Sequence, residues 1–327
     1  MIVVLGSNSF CGSAFVDHAL ASGSHIAGFT RSAVFSPELL CYSRNPKIDN
    51  LEIFQMDINK DLSSIVDKIK SLRPRYIINF IAQGMVEQSW LNPTHWYQTN
   101  VVSQVALIEE IKRLDGLEKY VHFSTPEVYG STSDWLVESF DFSPSTPYAI
   151  SRAATDQHIK NLVTLGDLPA VITRAANVYG PHQQIYRIIP RAILAARLGR
   201  RLKLHGGGVS RRSFLFAHDM SDAVERVMKS GEIGSAYHIS TRELVSIRHV
   251  VQLVASQTGV DISEFVDIAD ERRGKDDAYM LDSTKIRMEL GWDDRVALSN
   301  GIEKVIAWVD RNLGHLSELE QDYVHRP

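Results

Sequence analysis

The sequence predicts an α/β fold, a doubly wound parallel sheet covered by helices on both faces and followed by a smaller α/β lobe. Three observations predict it. Short β-branched runs alternate with helical stretches through the first half of the chain, and a glycine loop joins the first run to the first helix. After Asn177 this alternation gives way to breakers and amphipathic helices.

Met1-Ile-Val-Val-Leu5 reads as a buried strand and Gly6-Ser-Asn-Ser-Phe-Cys-Gly12 as a tight loop. Ser13 to Ser22 reads as a helix, with Phe15/Ala19 and Val16/Leu20 paired at i,i+4. Gly6 permits the turn, Gly12 permits close approach of helix to strand, and the free amides at the helix start favour a pyrophosphate. Ser9 stands where the middle glycine of a Gly-x-x-Gly-x-x-Gly loop belongs. The next strand, 25–30, ends in Thr30-Arg31-Ser32, where a site for NAD carries an acidic residue. A guanidinium flanked by two hydroxyls suits a 2′-phosphate, so these residues favour NADP, with NAD as the alternative.

Further strands are expected at 51–55, 76–81, 119–124, 170–174 and 237–239, the arrangement of a Rossmann-type sheet, whose ligands bind at the carboxyl ends of the strands. Polar candidates fall at those ends. Asp57 follows the third strand, Ala82-Gln83 the fourth, Thr125 and Glu127 the fifth, and Asn177 the sixth.

Beyond Asn177, Tyr179-Gly-Pro181 breaks the chain and Gly206-Gly-Gly208 adds a turn. Ile247/Val250/Val251/Val254 and Ile302/Val305/Ile306/Val309/Leu313 then follow helical spacing and read as core stripes. Residues 1–177, with 214–244 returning to them, are expected to form a dinucleotide-binding domain. Residues 178–213 and 245–327 form the substrate-binding lobe, and the cleft between the two takes the substrate. The tail after Leu319 and the loop around Pro37 are expected to fray.

Tyr148-Ala-Ile-Ser-Arg152, preceded by Ser124-Thr-Pro-Glu-Val-Tyr-Gly130, brings a hydroxyl, a carboxylate, a phenol and a permanent cation into one region, a set suited to sugar redox chemistry. A phenol with an ordinary pKa of about 10 is a poor base near neutrality, and a nearby cation favours its ionised form. Arg152 lies four residues beyond Tyr148, on the same helical face.

Composition fits a soluble enzyme. The 327 residues are 44% hydrophobic and 23% charged, and a net charge of −4 recruits neither nucleic acid nor an anionic membrane. A first strand starting at residue 2 leaves no space for a leader. No apolar run approaches the roughly 18 residues that span a bilayer, so the expected location is the cytoplasm. Cys11 and Cys41 do not make a disulfide framework, and the twelve histidines form no metal-binding pattern; no metal is expected.

The chain resembles the extended short-chain dehydrogenase/reductases of the nucleotide-sugar epimerase/dehydratase family, and within it dTDP-glucose and GDP-mannose 4,6-dehydratases. The resemblance runs over nearly the whole length. Besides the loop and the tyrosine motif it rests on Phe80-Ile-Ala-Gln-Gly-Met-Val-Glu-Gln-Ser89, Thr99-Asn-Val101, Ser143-Pro-Ser-Thr-Pro-Tyr148, Arg174-Ala-Ala-Asn-Val-Tyr-Gly-Pro181, Ile189-Pro190, Arg212-Ser-Phe214 and Leu290-Gly-Trp292.

The resemblance implies that Thr125 bonds the sugar 4-hydroxyl, Tyr148 takes its proton with Arg152 beside it, and hydride passes from C4 to the nicotinamide. Glu127 then removes the acidified C5 proton as water leaves C6, and hydride returns to C6. It also implies that Asn8, Phe10, Ile58 and Asn100 join Gly6, Ser9, Gly12, Thr30, Arg31, Ser32, Asp57, Ala82, Gln83, Tyr148 and Arg152 around the cofactor. Met85, Thr125, Asn177, Arg187, Ile189, His205, Arg212, Arg272 and Lys275 are implied around a nucleotide-diphosphate hexose, and the implied assembly is a homodimer built through helices near 93–112 and 148–165.

Three residues depart from the family pattern. Pro126 stands where dTDP-glucose dehydratases have an acid, Arg152 replaces the usual lysine, and Met85 sits where histidine is frequent. A 4-epimerase and a catalytically silent NADP-binding relative therefore stay open beside the dehydratase.

Overall fold

A computed structural model describes residues 1–32, 36–270 and 278–326. Its strands, in chain order, are Ile2–Leu5 (β1), Ile26–Thr30 (β2), Leu51–Gln55 (β3), Tyr76–Asn79 (β4), Lys119–Ser124 (β5), Ala170–Ala175 (β6), Asn177–Tyr179 (β7), Leu202–His205 (β8), Arg211–Arg212 (β9), Phe214–Phe216 (β10), Ala236–Ile239 (β11), Val245–Ser246 (β12) and Val266–Ala269 (β13). Seven of them form one sheet in the order β11-β6-β5-β4-β1-β2-β3, and every pairing in it is parallel. This is the predicted doubly wound α/β sheet. Its order reverses between β1 and β4, which opens a crevice above their carboxyl ends, where such sheets bind ligands.

Alternation along the strands supplies both faces. Val4, Ile78, Val121 and Val171 pack beneath Phe15, Val16 and Leu20 of helix Phe10–Ala21 and Met220, Val224 and Val227 of helix Ala217–Ser230. Val3, Leu5, Ile77, Tyr120 and Ile172 face the other way, against helices Leu62–Leu72, Gln104–Ile111 and Pro147–Thr164. Each aliphatic side chain buried here contributes about 1.5–3 kcal/mol relative to exposure, so the sheet tolerates no slip that would reverse its faces.

A separate cluster joins Ile189, Ile193 and Leu194 of helix Ile188–Leu198 to both predicted stripes, Val250/Val251/Val254 and Ile302/Val305/Val309. Around it, β8 pairs with β13 in parallel, β9 with β12 antiparallel, and β7 with β10 in parallel. Ile286 and Trp292 lie in the stretch expected for this lobe but pack with Met220 and Val224 against the sheet instead. Among the described residues, no helix is long and apolar enough to cross a membrane.

Described residues of both segments expected to fray make contacts. Pro37–Leu39 forms a 3-10 turn with the Ser36 hydroxyl bonded to Glu38, and Ser36 Oγ lies 2.7 Å from His315 Nε2. Beyond Leu319, Arg191 bridges to Asp322 at 2.9 Å, and His325 stacks on Trp96 with ring centroids 4.9 Å apart.

Candidate active site

The candidate site begins at the glycine loop. Gly6 has φ +77°, and a Cβ on Gly12 would meet the Gly6 carbonyl oxygen at 2.2 Å, so only glycine lets the helix start against the strand end. Ser9 has a specific local role: with extended backbone it is the N-cap of helix Phe10–Ala21, its Oγ accepting the Gly12 amide at 3.1 Å. The helix consequently starts at Phe10, three residues earlier than expected. Asn8 is buried, its Oδ1 accepting from Tyr42 Oη at 2.5 Å.

At the end of β2, Thr30 is buried, Ser32 half-buried and Arg31 exposed. Arg31 Nη1 donates to the backbone carbonyl of Arg326 at 3.0 Å, and Gln83 Nε2, just past β4, donates to the same oxygen at 2.8 Å. Because β2 and β4 flank β1 in the sheet, that carbonyl bridges the mouth of the crevice. Exposed Ala82 adjoins Gln83. Asn100 braces this loop: its Oδ1 accepts the Gln83 amide at 2.8 Å, and its Nδ2 donates to the Gln83 carbonyl at 3.1 Å and to Ser151 Oγ at 3.0 Å. Asn100 thus shapes this loop through the backbone of Gln83. After β3, Asp57 Oδ1 accepts the Asn59 amide at 2.9 Å, and Ile58 packs beneath with Phe29 and Ile65.

The tyrosine motif and the Thr125–Glu127 pair are built on the ends of β5 and helix Pro147–Thr164. Thr146 caps that helix, with Pro147 in its first turn, which fixes Tyr148 at its start. Thr125 is the cap of the 3-10 turn Pro126–Tyr129, and its Oγ1 accepts the Glu127 amide at 3.4 Å. Tyr148, Thr125, Glu127 and Arg152 do come together. Burial pushes the Tyr148 phenol up to about 12, and the Glu127 charge adds to this; the Arg152 charge, a hydrogen bond with Thr125 and the Arg187 charge oppose it. Burial therefore opposes the expected ionised phenol and outweighs the cation.

Arg152 is 1% exposed and its guanidinium reaches into the sheet. Nη2 donates to the Phe123 carbonyl at 2.5 Å and to His122 Nε2 at 3.1 Å, and Nη1 donates to the Ile81 carbonyl at 3.4 Å. Its Nε and the Ser124 hydroxyl are buried without a hydrogen-bond partner. One turn further along the helix, Asp156 Oδ2 accepts from Arg174 Nε at 3.1 Å and Nη2 at 3.0 Å, with both side chains fully buried. Arg174 Nη1 continues to the Tyr129 hydroxyl at 2.6 Å, which lies 2.8 Å from His238 Nε2. Sequence reasoning missed this polar layer. Its signals are an arginine inside the apolar run Ala-Val-Ile-Thr-Arg-Ala of β6 and the i,i+4,i+8 spacing of Tyr148, Arg152 and Asp156.

Among the remaining candidates, Met85 precedes helix Val86–Leu91 and Asn177 opens β7, its backbone amide bonded to the Ser213 carbonyl at 3.1 Å. Arg187 is exposed at the N-cap of helix Ile188–Leu198, its guanidinium 5.5 Å from the Tyr186 ring. Its charge acts on Tyr148, Cys11 and Tyr323. Ile189 is buried in the lobe core. His205 Nδ1 lies 2.9 Å from the Asp270 carbonyl, and Arg212 sits over the Tyr279 ring at 4.5 Å. Arg272 and Lys275 lie outside the described residues. One group with metal-ligand chemistry occurs among the described residues, His18 with Asp222 and Glu225; its carboxylates are already paired with Arg226 and Lys229, at 2.9 and 2.8 Å.

Known proteins resemble this chain in sequence and in fold. A trifunctional UDP-glucose 4,6-dehydratase/UDP-4-keto-6-deoxy-D-glucose 3,5-epimerase/UDP-4-keto-L-rhamnose-reductase of Arabidopsis thaliana is 32% identical over 72% of this chain, a stretch covering 36% of that protein, so the chain spans about a third of its length. The dTDP-D-glucose 4,6-dehydratase of Mus musculus is 33% identical over 75% of this chain and 70% of its own. Among solved structures, the dTDP-glucose 4,6-dehydratase DesIV of Streptomyces venezuelae, crystallised with NAD and TYD bound, superposes with a TM-score of 0.88 at 27% identity, covering 96% of this chain and 98% of that one. The family model described as GDP-mannose 4,6 dehydratase matches residues 3–305, and the chain belongs to that family.

Proposed function

We propose that this protein is a nucleotide-diphosphate-sugar 4,6-dehydratase that forms a 4-keto-6-deoxy sugar, with NADP as its dinucleotide and NAD as the alternative. The observation that carries the reading is the convergence of Thr125, Glu127 and Tyr148 beside the β1–β4 crevice, where Glu127 is near enough for its charge to act on the phenol. A carboxylate there has a use in removing a C5 proton and none in inverting C4.

The residues fit a dinucleotide. The Gly12 contact that excludes any side chain and the buried, unpartnered Arg152 Nε and Ser124 Oγ at the carboxyl end of the sheet all support it. Gly6, Asn8, Ser9, Phe10 and Gly12 would line the pyrophosphate, and Thr30, Arg31 and Ser32 would face the adenosine ribose, with Asp57 and Ile58 towards the base. Ala82, Gln83 and Asn100 would hold the opposite wall. When bound, the nicotinamide supplies the acceptor for hydride from C4 and its donor to C6.

The chain's own residues do the rest. Thr125 Oγ1 orients the sugar 4-hydroxyl and Tyr148 Oη takes its proton, aided by the Arg152 charge. Glu127 takes the C5 proton once C4 is a ketone. With Pro126 unable to donate, Glu127 also supplies the proton on which the C6 hydroxyl leaves as water. Asn177, Arg187 and Arg212, with Arg272 and Lys275, would bind the nucleotide diphosphate, while Met85, Ile189 and His205 would shape the walls around sugar and base.

Two attendant features belong to this reading. A cytoplasmic setting agrees with two free thiols, Cys11 and Cys41, that burial pushes up to about 12 and so keeps unreactive. A homodimer is supported by apolar side chains exposed on neighbouring helices, among them Leu91, Val102 and Ile150. The function is tested by incubating the protein with nucleotide-activated hexoses and following mass. Loss of one water is expected from at least one sugar. Products of unchanged mass would mark an epimerase, and no turnover a silent relative.

A further inference from the structure

Tyr148, Arg152 and Asp156 are spaced by four on helix Pro147–Thr164 and form one row facing β5 and β6. Arg152 therefore stands one turn from a phenol on one side and one turn from a carboxylate on the other. An arginine and an aspartate at i,i+4 pair directly on an open helix surface, yet the hydrogen bonds to Asp156 come from Arg174. His122 of β5, fully buried, occupies the space between: its Nε2 is 3.1 Å from Arg152 Nη2 and 3.6 Å from Asp156 Oδ1, an oxygen that has no hydrogen-bond partner of its own. A guanidinium can only donate, so Nε2 must carry a lone pair and the ring must be neutral. Burial and the charges of Arg152 and Arg174 agree, pushing His122 well below the ordinary histidine range.

We propose that His122 is a positioning residue for the tyrosine base: a neutral spacer that holds the Arg152 guanidinium away from Asp156, so that its charge stays uncompensated and acts on Tyr148. This rests on the dehydratase reading for the role of Tyr148 and adds a residue to it. The layer suits that task. Arg152 and Arg174 bring two positive charges and Asp156 one negative charge, and an ionised Tyr148 would leave the layer neutral. Without the ring, the guanidinium would swing towards Asp156 Oδ1 and the net charge beside the phenol would fall. Several groups act on this row from the surrounding elements. Glu127 of the 3-10 turn raises the phenol and Arg187 of helix Ile188–Leu198 lowers it, Thr125 bonds it, Arg174 faces His122 from β6, and Tyr120 of β5 faces Arg152.

The test compares H122A and H122Q in the cofactor-loaded protein, with Y148F as the blank. Glutamine keeps a neutral acceptor in a similar volume; alanine removes it. Two quantities are read, the pH profile of kcat with an accepted sugar and the ultraviolet difference titration of the Tyr148 phenol. In H122A the acidic limb and the phenol titration should both move up by at least about one pH unit, the low end of what the loss of a nearby cation does. H122Q should stay close to the unmodified protein, and D156N combined with H122A should reverse the shift. Unmoved limbs in a folded H122A, or equal shifts in the alanine and glutamine variants, would overturn the proposal. If the unmodified protein dehydrates no sugar, the phenol titration still decides the role of His122, and the failure then belongs to the dehydratase reading alone.

Discussion

Replacing Arg31 by alanine tests the cofactor assignment at a single side chain. The guanidinium at the end of β2 already donates to the Arg326 carbonyl, so binding a 2′-phosphate exchanges one bond for another. A hydrogen bond to a charged group is worth about 1.5–3 kcal/mol and one to a neutral carbonyl about 0.5–1.5 kcal/mol. The exchange is then worth about 1–2 kcal/mol, which is about a 5- to 30-fold change in affinity. Titrating NADPH and NADH by fluorescence should show R31A weakening the first by that factor and leaving the second nearly unchanged. Equal losses for both would refute the phosphate contact. A much larger loss would refute the exchange argument, because it would mean that Arg31 gives up nothing on binding.

Three further outcomes follow from the same geometry. E127Q should stop water loss while dinucleotide binding survives, measured by product mass and by fluorescence; full turnover in that variant would remove Glu127 from the mechanism. Deleting residues 320–327 should tighten dinucleotide binding by about tenfold, since Arg31 and Gln83 would lose a competing acceptor worth roughly one to two neutral hydrogen bonds; weaker binding would make the segment a wall of the site instead. Acid should destabilise the fold early. Burial holds His238 down at about 3 and His122 lower than its ordinary value, so both stay neutral when folded and take up protons on unfolding below about 6.5. The unfolded chain then binds more protons, and stability is full above that pH and falls as pH drops towards 3, by up to about 2.7 kcal/mol per pH unit for the two groups. Denaturant midpoints between pH 7 and 5 measure it, and a flat profile would show that neither ring is neutral in the native state.

The sheet was legible because its strands, apart from the exposed edge strand β3, are mostly buried and are interrupted by helices of clear period. The strands at 51–55 and 119–124 fall where expected, and the others differ by one or two residues at an end. The glycine loop was legible for the same reason that glycine is required there, a contact of 2.2 Å that no side chain could fit. Ser9 looked like a defect in the loop and is a helix cap, a role that depends on a backbone conformation the loop pattern alone did not convey. Tyr148 and Arg152 were legible as neighbours on a helix face, but not the direction of the guanidinium, which is decided by the acceptors Ile81, Phe123 and His122 from other strands. The C-terminal segment offered no period or motif. Its position depends on single contacts with Arg31, Gln83, His95 and Arg191, scattered through the chain.

The central claim is that Thr125, Tyr148 and Glu127 act on one sugar to take water out of it without net oxidation. Its most direct test is a nucleotide hexose deuterated at C4, incubated with the protein and analysed by mass and by nuclear magnetic resonance. The expected product is a 4-keto sugar one water lighter, with the deuterium now at C6. Deuterium retained at C4 of an inverted sugar, or a product of unchanged mass, would contradict it.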